Sequence, residues 1–139
     1  LERLPGVTVL RDKIERLDLE LFEKLGPGDL LFIDSSHIIR PQGDVLWLYL
    51  HVLPLLKSGV VVHIHDFFSP RDYPKEWLFD KGLMWNEQYL VEALLTDTNR
   101  YKVLLALNYL FHSEFAVLQK VCPHLTQMHN PGSLYITVA

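Results

Sequence analysis

Two apolar runs limit the architectures open to this chain. Leu30-Leu31-Phe32-Ile33 ends in Asp34, and Val60-Val61-Val62 continues through His63-Ile64-His65 to Asp66. A short apolar run closed by a single acid reads as a strand buried on both faces of a parallel sheet. Val60, Val61, Val62 and Ile64 give the second run strong strand character. Between them, Asp44 is placed to cap an apolar helix over Val45 to Lys57, with Pro54 kinking its last turn and Ser58-Gly59 ending it. A strand, helix, strand succession of this length pairs its strands in parallel through a right-handed crossover. The fold class is therefore α/β, and the two acid-terminated strand ends form its working edge.

Elsewhere the punctuation is less sharp. Val7 to Leu10 reads as a short strand after Pro5-Gly6. Leu17, Leu21, Phe22 and Leu25 recur at helical spacing until Gly26-Pro27-Gly28. Phe67 to Trp85 is an irregular stretch rich in Pro70, Tyr73, Pro74, Trp77, Phe79 and Trp85, the character of a lid or substrate wall. Asn86 then caps a helix from Glu87 to about Asp97 with Tyr89, Leu90, Ala93 and Leu94 on one face. Tyr101 to Leu107 reads as a strand, Phe115 to Val121 as a helix, and Ser133 to Val138 as a terminal alternating strand. No repeat or linker divides the chain, so residues 1–139 are read as one domain. The opening leucine, running straight into a strand pattern, reads as that of a fragment.

Composition narrows the function. With 49% hydrophobic and 12% aromatic residues the chain buries an ordinary core. A formal charge of −4, without clusters of lysine or arginine, offers no footprint for nucleic acid or an anionic membrane, and favours a small-molecule ligand. The single cysteine, Cys122, has no internal partner for a disulfide, which suits a reducing, cytoplasmic setting. No stretch has the about eighteen apolar residues of a membrane span. There is no G-x-S-x-G elbow, phosphate-binding Walker loop or G-x-G-x-x-G.

The strand ends carry the chemistry. Ligands of open parallel sheets bind outside the carboxyl ends of the strands. Asp34 and Asp66 there come within reach of one divalent ion, and His65, on the same face as His63, is placed to join them. Two carboxylates and an imidazole with open positions suit Mg²⁺, Mn²⁺ or Fe²⁺ better than structural zinc. His37, three residues past Asp34 on a loop, has the mobility and titration range of a general base. His51, His112, His124 and His129 are assigned to packing or surface.

The segments GDLLFIDSSHIIRPQGDV, LPLLKSGVVVHIHDFFSPRDYPKEWL and WNEQYLVEALL, in that order over residues 26 to 107, resemble the C-terminal half of class I S-adenosylmethionine-dependent methyltransferases, in the branch called methyltransferase family 24. The resemblance implies a Rossmann-like sheet, mostly parallel with an antiparallel C-terminal strand, whose N-terminal strands lie upstream of residue 1. It implies methyl transfer from S-adenosylmethionine to a small-molecule hydroxyl. By the same resemblance Asp34, Ser35 and Ser36 border the donor, Asp34, His65 and Asp66 hold Mg²⁺ or another divalent metal, and His37 is the base. His65 stands where that pattern has an acid. The unpaired edge of Leu30 to Ile33 would favour homo-oligomers. Two other readings stay open: a non-catalytic Rossmann-like module serving a partner domain, and a metal-dependent hydrolase or oxygenase.

Overall fold

A computed structural model of the chain describes residues 4–139. Its centre is a four-stranded mixed sheet of β1 (Leu30–Ile33), β2 (Val61–His65), β3 (Tyr101–Ala106) and β4 (Ser133–Val138), in the order β1-β2-β4-β3. β1 and β2 pair in parallel, from Leu30 opposite Val61 to Ile33 opposite Ile64. β4 is antiparallel to both β2 and β3. β1, β2 and β3 therefore run in one direction and only the C-terminal strand is reversed, as expected for the α/β class.

The β1 to β2 connection starts at α2 (Asp44–Trp47), widens to a π-helical turn over Leu48–Val52 and tightens to a 3₁₀ turn over Leu53–Leu55. Pro54 explains the irregular end, since it has no N–H to donate and its ring crowds the carbonyl four residues back. Val45, Leu48, Val52, Leu53 and Leu56 pack with Ile33, Val62, Ile64 and Ile136 into the core, each worth about 1.5–3 kcal/mol of burial. Gly43, rather than Asp44, is the capping residue, and Asp44 is the first residue inside the helix.

Several expectations are corrected. Val7 to Leu10 is exposed and forms no strand, because no neighbouring strand meets it among the described residues. The helix read from Leu17 to Leu25 shrinks to one turn, α1 (Glu20–Glu23), after a 3₁₀ turn at Ile14–Arg16. Its anchor is Phe22, edge-on to Trp47 at 5.6 Å. β1 is not covered on both faces, for Leu30 and Phe32 are 53% and 51% exposed at the open edge of the sheet. Phe32 instead lies beside His63, at 4.8 Å between rings, and His63 stacks on Tyr135 at 4.2 Å.

The aromatic stretch holds one helical turn, α3 (Lys75–Phe79), and leads into α4 (Glu87–Leu95). The buried residues of α4 are Glu87, Gln88 and Val91, whereas Tyr89 and Ala93 are exposed. Hydrogen bonding sets this orientation. Gln88 Oε1 accepts from Phe68 N at 2.8 Å, Gln88 Nε2 donates to the Arg71 carbonyl at 2.9 Å, and Gln88 N donates to the Tyr73 hydroxyl at 3.0 Å. β3 runs directly into α5 (Leu107–Ser113), which sequence reading did not foresee, and then α6 (Phe115–Val121). No helix among the described residues is long and apolar enough to cross a membrane.

Gly59 sets the entry to β2. Its φ is +84°, and an added Cβ would lie 2.8 Å from Pro27 Cβ. Gly59→Ala is expected to destabilise the fold by about 1–3 kcal/mol, read in urea titration as a lower midpoint with an unchanged slope.

Candidate active site

The sheet delivers Asp34 and His65-Asp66 side by side because β1 and β2 pair in parallel and end together. Beyond the strands the backbone turns sharply, with His37 at φ +57° and Asp66 at φ +55°. A non-glycine residue in this left-handed region is held there by its surroundings. For Asp66 the hold is a hydrogen bond from its N–H to the Gly132 carbonyl at 2.8 Å. For His37 it is α4, whose Asn86 and Glu87 N–H groups both donate to the His37 carbonyl, at 2.9 and 3.2 Å. Asn86 was expected to cap its own helix, but its Oδ1 accepts from Ile39 N at 2.6 Å, binding the same loop.

His37 is 4% exposed and Glu87 2%. Nδ1 of His37 meets Glu87 Oε2 at 2.7 Å, and the Ser35 hydroxyl donates to the same oxygen at 2.8 Å. The other ring nitrogen, Nε2, faces outward, 3.4 Å from Asp34 Oδ1 and 3.7 Å from Asp66 Oδ2. Trp85 covers the ring at 4.2 Å. His65 Nδ1 lies 3.5 Å from Asp34 Oδ1 and 3.3 Å from Asp66 Oδ2, yet it is buried without a hydrogen-bond partner. His63, on the same sheet face, is occupied by the Ser133 hydroxyl at 3.0 Å.

Burial pulls the His37 pKa down. The Glu87 hydrogen bond and the charges of Glu87, Asp66 and Asp34 more than reverse it, leaving the imidazole above its usual value. Burial raises Asp66 above the ordinary carboxylate range, against the opposing pull of His65 and His37. Tyr49 is also buried, and burial together with the nearby Glu87 carboxylate holds its hydroxyl well above tyrosine's usual value. Its oxygen and Glu87 Oε1 both lack a partner of hydrogen-bond geometry.

Ligand atoms of Asp34, His37 and His65 all lie within 4.8 Å of one another, while Asp66 flanks the two imidazoles. Three such atoms, one carboxylate oxygen and two imidazole nitrogens, do not suit magnesium, which takes oxygen ligands. Of the residues expected near the donor, Asp34 and Ser35 line a cleft of about 180 Å³ with Leu31, Ile33 and Leu48. Ser36 is turned the other way, its N–H and hydroxyl donating to Asp44 at 2.7 and 2.6 Å. Sequence reading missed Glu87, although it sits in the WNEQYL motif, because an acid at the first turn of a helix reads as a terminus signal; Trp85 was read only as part of the lid or substrate wall.

The Ser36 bonds draw the Asp44 pKa below its usual 3.8, outweighing burial, which acts the other way; Arg40 at 3.7 Å assists. Because the folded value is the lower one, this contribution is present in full above the unfolded pKa and is lost as pH falls through the folded pKa. Asp44→Ala should cost about 1–3 kcal/mol at pH 7. In denaturation curves, the gap from the parent should close as pH drops below 3.8.

Residues 2–67 match the family model described as a methyltransferase domain, a stretch that takes in β1, β2, Asp34, Ser35, Ser36, His37, His65 and Asp66 but stops short of Trp85 and Glu87. No curated protein and no solved structure matches the chain. The N-terminal part of this chain, up to and including both strand ends, is thus similar to a methyltransferase domain over residues 2–67.

Proposed function

We propose that the chain takes part in methyl transfer from S-adenosylmethionine to the hydroxyl of a small molecule, with the acceptor over the ends of β1 and β2. The observation that carries this reading is the 2.7 Å contact between His37 and Glu87, set in a segment matched to a methyltransferase domain. A carboxylate only accepts, so Nδ1 carries the hydrogen and Nε2 is left as the acceptor. Nε2 is also the nitrogen that faces the strand ends. A base must reach its proton at hydrogen-bond distance, and an imidazole held by a buried carboxylate, with its other nitrogen facing the strand ends, is placed for that role.

When bound, the donor supplies an electrophilic methyl group on a sulfonium. The residues of this chain act around it. Asp34 and Ser35 border the cleft beside β1, and Ser36 fixes their loop by its bonds to Asp44. As the acceptor oxygen forms its bond to the methyl carbon and the carbon–sulfur bond breaks, His37 Nε2 takes the hydroxyl proton. Glu87 keeps the ring in line and stabilises the imidazolium that forms. Trp85, against the His37 ring, excludes water from that side. Much of the acceleration then comes from holding oxygen, base and methyl carbon in one line.

Calorimetric titration of the protein should show S-adenosylmethionine binding. His37→Ala should retain that affinity while lowering S-adenosylhomocysteine formation by about 10²-fold or more. Absence of donor binding would overturn the function, and a fully active His37→Ala would remove His37 as base.

A further inference from the structure

We propose that Asp34, His37 and His65 form a site for a divalent transition-metal ion of the zinc or cobalt class, not magnesium, and that Glu87 supports it by holding His37. Three observations on the page carry it. The first is spacing. Ligand atoms about 2.1 Å from one ion at tetrahedral angles stand about 3.4 Å apart. His37 Nε2 lies 3.4 Å and His65 Nδ1 3.5 Å from the shared Asp34 Oδ1.

The second is the orphaned nitrogen. His65 Nδ1 is buried and, although Asp66 Oδ2 lies 3.3 Å away, has no partner of hydrogen-bond geometry, while its residue reaches solvent. A buried imidazole nitrogen left unpaired costs free energy unless something occupies it, and a metal ion is a natural occupant. The third is the support. Histidine ligands of metals nearly always give their second nitrogen to a carboxylate or carbonyl, which fixes the ring and raises its donor strength. Glu87 stands in that place toward His37 at 2.7 Å, itself fixed by Ser35.

Donor softness then decides the metal. Imidazole suits zinc, copper, iron and nickel, whereas magnesium is bound through carboxylates and water. Asp66, 3.3 Å from His65 Nδ1 and 3.7 Å from His37 Nε2, adds negative charge beside the ion. Because Nδ1 of His37 is committed to Glu87, one nitrogen serves both the ion and the proton of the acceptor. A bound ion of this class and proton abstraction by His37 therefore exclude each other, and zinc inhibits the reaction proposed above.

The test is calorimetry on the full chain, stripped of metal with a chelator and titrated separately with Zn²⁺, Co²⁺, Mn²⁺ and Mg²⁺. One Zn²⁺ or Co²⁺ per chain should bind, with Mg²⁺ far weaker, and Co²⁺ should give visible ligand-field bands. His65→Ala, at a partly exposed position whose fold circular dichroism checks, should abolish this binding. Glu87→Gln should weaken it by about 10–100-fold. Zinc binding no tighter than magnesium, or zinc affinity unchanged in His65→Ala, would overturn the site; unchanged affinity in Glu87→Gln would overturn the part given to Glu87. These readouts do not depend on turnover. Failure of donor binding would defeat the methyl-transfer reading and leave the metal result standing, while zinc binding without inhibition would separate the ion from the base.

Discussion

The docking of the α4 N-terminus onto the loop after β1 is the contact on which the rest of the site depends. Two N–H groups of α4 converge on the His37 carbonyl, Asn86 Oδ1 receives the Ile39 N–H, and Glu87 closes on the His37 ring from below. Helix N-termini present unpaired donors, and here the His37 carbonyl takes the place that a capping side chain would fill, while the Asn86 side chain is turned to the loop amide of Ile39. That satisfies the helix and at the same time keeps His37 in a left-handed backbone conformation. A local cost is thus met by a contact about fifty residues away in sequence.

Because that joint is buried, it needs complete polar pairing, and it nearly has it. Ser35, His37 and Glu87 satisfy one another, while Glu87 Oε1 and the Tyr49 hydroxyl stay unmatched. Low local polarity strengthens the paired contacts and makes the unmatched ones costly. The aromatic residues around it extend the same enclosure. Trp85 lies against His37, Trp77 and Tyr73 against Trp85, and Phe68 against both Tyr73 and Trp77. Gly132 permits this packing, since a Cβ there would meet the Phe68 ring at 2.7 Å. The stretch read as a lid or wall packs ring on ring in this structure and sets Trp85 against the histidine.

The strands were legible because apolar, β-branched runs ending in acids leave little choice of backbone conformation, although the burial of β1 on both faces did not follow. Leu30 to Ile33 and Val61 to His65 appear as read, and so does the reversed strand at Ser133. Reading failed where the outcome depended on a distant partner. Val7 to Leu10 has strand composition and no strand to join among the described residues. Asp44 has a capping residue's chemistry, but Ser36 claims its carboxylate. Of the apolar face assigned to α4, Leu90 and Leu94 pack against the core, whereas Tyr89 and Ala93 gave way to Gln88, which makes three hydrogen bonds to the aromatic stretch and its tyrosine. Of the site, Asp34, His37, His65 and Asp66 were visible as strand-end residues, whereas Glu87 was not, since its partner is fixed only by tertiary packing.

In the roles proposed above, the burial gradient across the site lets one set of groups meet more than one chemistry. Glu87 is enclosed, His37 nearly so, the Asp66 side chain is 18% exposed, and those of His65 and Asp34 are 41% and 53% exposed. The inner end is therefore immobile and the outer end free to accept a ligand. With Nδ1 tied inward, the outward nitrogen of His37 is presented at a fixed position between Asp34 and Asp66. A group held in this way is preorganised for whatever meets it, and the fold supplies the position without dictating the occupant. In the proposed roles, a hydroxyl proton and a transition-metal ion are two occupants of one lone pair. Selection between them rests on His65: its unpaired nitrogen adds a ligand for the ion and contributes nothing to taking the proton.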